Sequence, residues 1–397
     1  MTQQVKAAPS KRFFVSMLTR DIDLKDSILD LLDNCVDGVL RKTKHLDKSK
    51  ERPYDGYWAK ISASPERFII EDNCGGISLD IAIDEAFVLG RENIGRDIDI
   101  PTVGMYGIGM KRAMFKMGRH SIVKSRHKQD HYVVEIPPEW LADNEDWNLD
   151  LSPYDIEFEQ DGTVIEIREL YDEIAIQFDN DERPFLDNLK NDIERFYSVI
   201  LKKGFKVYLN NEEISPYSLD VLFPTDFSID TIPPYAYQAE VNGVLIDINV
   251  GFYRPLATEQ ELEDETGVAR SSKNAGWTVI CNDRVVVHRD TSAMTGWGIG
   301  IIPKFHNQFI AIAGAVHFST ENNPINLPLN TTKRGLDTSS PVYWHAIHYM
   351  QEGLRKFIDF TNDWKGREKE AEIQNRFSNT KFVESTAIAL SIPTDTI

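Results

Sequence analysis

Gly104, Gly107 and Gly109 stand in the segment VGMYGIGMKRAMFKMG, directly before a run of helical character at 109–117. Three glycines ahead of a helix let successive backbone N–H groups close on an anion, and the helix N-terminus adds favourable partial charge. The segment is not a Walker A loop, because Gly109 is followed by Met110 and not by Lys-Ser/Thr; it also lacks the third glycine of the dinucleotide fingerprint, where Arg112 stands. A second candidate lies upstream. In LKDSILDLLDNCVDGVL (24–40), Leu24, Ile28, Leu31, Leu32, Cys35 and Val39 share one helical face. Asp26, Asp30, Asp33, Asn34 and Asp37 fall opposite. The ordinary expectation for such a helix is a core-facing stripe with its acids in water. Acids that lack a basic partner on the same face repel one another, and a cation over that face would account for them. A third candidate is the turn Asp72-Asn73-Cys74-Gly75-Gly76-Ile77 after the apolar strand RFIIED, a pattern that by itself signals only a turn.

The elements that must position these residues can be read along the chain. YWAKISA and RFIIED form a strand pair, and HSIVKSR, HYVVEIP and GTVIEIREL read as further strands, the last opening with Gly162-Thr163. Residues 78–103 are irregular in part and lie between two glycine-rich segments, as a mobile lid would. A helix is expected over 185–204, closed by Gly204. FKVYLNNEEI follows as a hairpin turning at Asn-Asn. From about 213 strand patterns dominate, in VNGVLIDINVGFY, GWTVICNDRVVV and FIAIAGAVHF. The last of these is too short to cross a membrane and reads as a buried strand. A polar loop, NPINLPLNTTKRGLD, leads to a helix near 341–359, a charged continuation to about 378 and a tail.

Composition sets the class. The 397 residues, 41% hydrophobic and 27% charged, predict two or three globular domains. A formal net charge of -19 opposes generic binding to a phosphate backbone, so a nucleic-acid partner is left open, not assumed. Three scattered cysteines suit neither a disulfide framework nor a zinc site. The opening residues lack an apolar signal core, and a soluble, cytoplasmic protein is expected. The pairs His127/His131 and His345/His348 lack clustered metal-ligating partners and read as ordinary histidines. The basic residues between Arg41 and Arg52 read as a solvated loop.

Taken in order, the acidic helix ending in Asn34, the strand with Asp72 and Gly76, the glycine loop with its helix, and Gly162-Thr163 on a strand resemble the GHKL superfamily. Its members include gyrase B, the ninety-kilodalton heat-shock chaperones, sensor histidine kinases, MutL and the MORC proteins. The resemblance covers roughly residues 15–170. It implies an α+β protein: a Bergerat-type α/β sandwich that binds ATP (1–210), a strand-rich, S5-like transducer domain (211–340), a C-terminal helical segment (341–378) and a tail (379–397). It further implies that Asn34 ligates Mg²⁺, that Asp72 accepts the adenine amine, and that Gly76 and Ile77 let the base approach the backbone. Gly104, Tyr106, Gly107, Ile108, Gly109 and Met110 would line the phosphate side, with Lys111 either on phosphate or in solvent. Thr163 would back the adenine end. Asp30 stands where the family carries a glutamate general base, one methylene shorter, and Cys74 replaces the first glycine of the family's DxGxG pattern. Lys333, on the polar loop after the last strand, is similar to the transducer lysine that reaches the terminal phosphate.

The resemblance, closest to MORC-like and related bacterial ATPases, implies a Mg²⁺-dependent, slowly hydrolysing ATPase that works as a conformational switch. ATP would close the lid, drive formation of a homodimer and act on an effector protein, in bacterial defence or DNA maintenance. The alternatives are an ATP sensor without turnover and a protein kinase on the same pocket.

Overall fold

The computed structural model describes residues 10–43, 50–88, 108–143, 146–154, 160–179, 184–225, 232–264, 273–321, 324–330 and 335–388. They form two compact units, Met1–Glu194 with Ile200–Ser215, and Arg195–Val199 with Pro216–Ile397. The architecture is α+β, as expected.

The first unit opens with α1 (Lys11–Arg20), a helix not anticipated from the sequence, whose N-cap Ser10 accepts from the Phe13 N–H. Next come α2 (Leu24–Thr43), β1 (Trp58–Ser64), β2 (Arg67–Asp72) and the short α3 (Leu79–Ile81). They are followed by α4 (Gly109–Met117), β3 (Gly118–His127), β4 (Asp130–Ile136), β5 (Leu151–Pro153) and β6 (Gly162–Leu170). Three helices, α5 (Asp172–Phe178), α6 (Phe185–Phe196) and α7 (Ser198–Lys202), lead to the hairpin β7 (Lys206–Leu209) and β8 (Glu212–Glu213). The strands make one sheet in the order β5-β4-β3-β6-β2-β1-β7-β8. All pairs are antiparallel except β1 with β7. Alternation along β1 buries Ala59, Ile61 and Ala63 and exposes Lys60 and Ser62, so one face of the sheet takes the helices. The sheet is therefore covered on that face by α2 and α4, which pack on each other, and by α5, whose Phe178 stacks on Phe68 of β2.

The helix expected over 185–204 is interrupted at Tyr197. Its cause lies in Arg284, whose Nη1 donates to the Phe196 carbonyl at 2.9 Å while its guanidinium sits 4.0 Å from the Tyr197 ring centroid. The carbonyl that should accept the next helical N–H is thereby engaged elsewhere.

In the second unit, β9 (Asp220–Pro224), β10 (Tyr235–Val241), β11 (Val244–Phe252), α8 (Glu259–Glu263), β12 (Gly276–Cys281), β13 (Arg284–Asp290) and β14 (Ile312–Ser319) precede α9 (Pro341–Trp364) and α10 (Glu370–Phe377). The main sheet runs β10-β11-β14-β12-β13, with β12 and β14 parallel. Asn242-Gly243 and Asn282-Asp283 supply the positive φ values of its two tight turns. Helix α9 packs on β10, β11 and β14, placing Leu354 and Phe357 in a core with Phe252 and Trp277. The expected tail begins instead as a strand: β15 (Thr380–Glu384) pairs antiparallel with β9. Among the described residues, no helix is long and apolar enough to cross a membrane.

Candidate functional site

Asp72 is the last residue of β2, paired across the sheet with Thr163 of β6. Its Oδ1 accepts the Cys74 N–H at 2.7 Å, and its Oδ2 lies 3.6 Å from the Cys35 thiol of α2. Burial pushes its carboxyl up to about 6, and only part of that rise is offset by these donors. Burial also raises both flanking thiols, Cys35 and Cys74, well above the usual cysteine range.

The turn after Asp72 is built from close approaches. Gly76 has φ +68°, and a Cβ there would meet the Arg126 carbonyl oxygen at 1.9 Å. A Cβ on Gly162 would meet the Asp72 carbonyl oxygen at 2.0 Å. Both positions therefore exclude every side chain. Cys74 is accommodated because α2 carries a glycine opposite it: a Cβ on Gly38 would lie only 3.1 Å from that of Cys74. Asn73 ties the turn down, accepting from the Trp58 N–H and donating to the Gly56 carbonyl, each at 2.8 Å. The Ile77 N–H donates to Ser125 Oγ at 2.8 Å, and the Ile77 carbonyl accepts from the Tyr132 hydroxyl at 2.9 Å. His127 holds the Gly75 carbonyl through Nδ1 at 2.8 Å, so this histidine supports the turn.

Helix α2 contributes the acidic side. The ordinary reading of its acids as solvated is corrected: Asp33 and Asp37 are buried, Asp37 with an accessibility of 0% and Arg41 beside it at 4.0 Å. Asn34 is half-buried, and its amide has no hydrogen-bond partner among the described residues. Asp30, one helical turn earlier, is paired with Arg112 of α4 at 2.5 Å. Gly109 at the start of α4 lies against Asp30, whose Cβ would be 3.4 Å from a Cβ at that position, an ordinary contact distance. Ile108, the N-cap of α4, and Met110 are partly accessible.

Lys111 is neither solvated nor turned to an open surface. It is buried, and its ammonium donates to the carbonyls of Ala86 and Val88 at 2.9 and 2.6 Å. It thus tethers the chain that follows α3 to α4. Gly104, Tyr106, Gly107, Lys333 and the part of the expected lid beyond Val88 lie outside the described residues.

The structure therefore assembles Asp30, Asn34, Asp72, Gly76, Ile77, Gly109 and Thr163 along α2, α4 and the β2–β6 pair of one unit. Residues 22–167 match the family of histidine kinase-, DNA gyrase B-, and HSP90-like ATPases. Comparison with curated proteins gave no match. The matched segment holds α2, the Asp72 turn, α4 and most of β6, so the similarity spans all of these residues.

Sequence reasoning missed Arg112, Ser125, Tyr132 and the two thiols beside Asp72. Only Arg112 carried a signal: it is a cation in the first turn of the glycine-loop helix, and the acids of the preceding helix lacked one. Ser125, Tyr132 and Cys35 act across elements remote in sequence, which no local spacing reveals, and Cys74 was read only as a replaced glycine.

Proposed function

We propose that the chain is an ATP-binding conformational switch of the GHKL type, with adenine recognised at Asp72. The observation that carries this is a partly buried carboxylate at a strand end, set between Gly76 and Gly162, where neither backbone tolerates a Cβ. An ionised Asp72 accepts the exocyclic amine of adenine and rejects guanine, which presents a carbonyl there. Thr163, directly across the ladder, supplies a hydroxyl at the same end.

The donor set also suits Mg²⁺. Asn34 offers an amide oxygen with no competing partner among the described residues, and hard oxygen ligands are what this ion takes. Bound there, the ion would neutralise charge on the phosphate oxygens. Asp30 is the candidate base for water, and its carboxylate is occupied by Arg112. That pair favours a resting state that binds ATP and turns it over slowly, and it is the observation behind the second reading, a sensor without turnover. Lid closure, an ATP-bound homodimer and action on an effector protein complete the switch as proposed, with Lys111 coupling α4 to the chain after α3.

The test is ATP binding by calorimetry and phosphate release with Mg²⁺, for wild type, Asn34→Ala and Asp72→Ala. Both variants should lose at least tenfold in affinity or turnover. A wild-type protein that binds no adenine nucleotide overturns the reading.

A further inference from the structure

A cavity of about 660 Å³ opens in the first unit between α1, the end of α4 and α5. It is separate from the proposed nucleotide site. The cavity touches Leu24, the first residue of α2, ten residues before Asn34 in mid-helix, and ten residues of helix span roughly 15 Å. It also touches Phe115 and Lys116 in the last turn of α4, whereas the glycine end of that helix faces Asp30.

Its walls are basic in a chain of formal net charge -19. Arg12 and Arg20 come from α1, Arg119 from the start of β3, and Lys116 from α4, against the two carboxylates Asp23 and Glu173. Among the described residues, none of the three guanidiniums is paired with a carboxylate, although two carboxylates share the walls. Arg119 is pre-oriented by the Tyr171 ring, 5.0 Å from its guanidinium carbon, and Lys116 by the Thr19 carbonyl at 3.2 Å. Val15 and Ile174 make part of the wall apolar.

We propose that this cavity binds a small phosphorylated molecule, its phosphates held by Arg12, Arg20 and Arg119. Guanidinium forks match phosphate oxygens in pairs, which an ammonium cannot do. The volume lies within the range of small-molecule sites, roughly 300–1,000 Å³. A concave site in an acidic chain suits a compact polyanion; a nucleic-acid strand would need an extended basic track. Val15, Ile174 and the Tyr171 ring give an apolar part of the ligand a surface to cover.

The test uses the full chain, with inorganic tripolyphosphate as the probe, measured by calorimetry at low salt without Mg²⁺. Wild type should bind it. The double variant Arg20→Gln/Arg119→Gln should lose at least tenfold in affinity, and Arg12→Gln alone should lose several-fold. Both variants should keep wild-type affinity for MgATP and an unchanged melting temperature. Three results overturn the proposal: tripolyphosphate affinity that survives the double substitution, MgATP affinity that falls in parallel with it, or a single-stranded oligonucleotide that binds through the same arginines while tripolyphosphate does not. Failure of the nucleotide pocket would show as loss of MgATP binding alone, so the two readings fail separately.

Discussion

A carboxylate that must be ionised to accept an adenine amine, yet sits where burial lifts it to about 6, makes ligand binding sensitive to mild acid. ATP affinity should fall about tenfold per pH unit below 6, because protonated Asp72 no longer accepts the amine. Calorimetry from pH 7.5 to 5 checks this; an affinity flat across that range would remove Asp72 from the base-recognition role. Arg112 acts on the neighbouring question of turnover. A half-buried ion pair worth about 1 kcal/mol withholds Asp30 roughly fivefold. Arg112→Ala should therefore raise phosphate release several-fold while leaving the ATP dissociation constant nearly unchanged. A fall in turnover would instead mean that Arg112 assists the reaction, and the idea of a restraining pair would be abandoned.

At the scale of elements, the turn after β2 depends on backbone that no side chain can enter. Gly56 and Gly76 both have positive φ, but only Gly76 faces a neighbouring carbonyl, at 1.9 Å from a would-be Cβ; Gly56 has nothing within 4 Å. Gly56→Ala should cost only the left-handed penalty of about 1–2 kcal/mol. Gly76→Ala should cost clearly more and abolish ATP binding, since the turn after β2 must move away from the Arg126 carbonyl of β3 to admit the methyl group. Thermal melts and binding of the two variants side by side check this, and equal losses would count against the close approach. The same turn shows what was legible beforehand. Periodicity placed α2, and the glycine-rich segment placed the start of α4 at Gly109, because these signals are local. Burial of Asp33 and Asp37 was not legible, since it arises from packing against other elements. The break at Tyr197 was hidden for the same reason: it needs Arg284, far along the chain. The β15 strand was read as a tail because its partner β9 is remote in sequence.

On the scale of the molecule, the two units should answer acid in opposite directions. In the first, Asp72 holds its proton up to about 6 when folded and releases it near the ordinary carboxylate value when unfolded. Its contribution to stability is therefore complete below the unfolded value and is lost as pH rises through about 6. In the second, burial, with the charges of Arg289 and Arg195 adding to it, lowers His288 to about 3. Its ring packs edge-on against Tyr217, with centroids 4.8 Å apart, and Nδ1 has no hydrogen-bond partner among the described residues. The unfolded chain protonates this histidine below about 6.5 while the folded chain does not. Stability from His288 is thus present above that value and lost as pH falls from it towards 3, at about 1.4 kcal/mol per unit. Between pH 7 and 5 the first unit should gain from Asp72 while the second loses about 2 kcal/mol through His288. Hydrogen exchange resolved by segment separates the two: protection in β11, β12 and β14 should fall with acid, and protection around β2 and β6 should not fall with it. His288→Leu should remove the loss in the second unit, and Asp72→Asn the gain in the first. If acid lowers protection in β11, β12 and β14 equally in wild type and His288→Leu, the buried histidine is not what makes the second unit acid-sensitive.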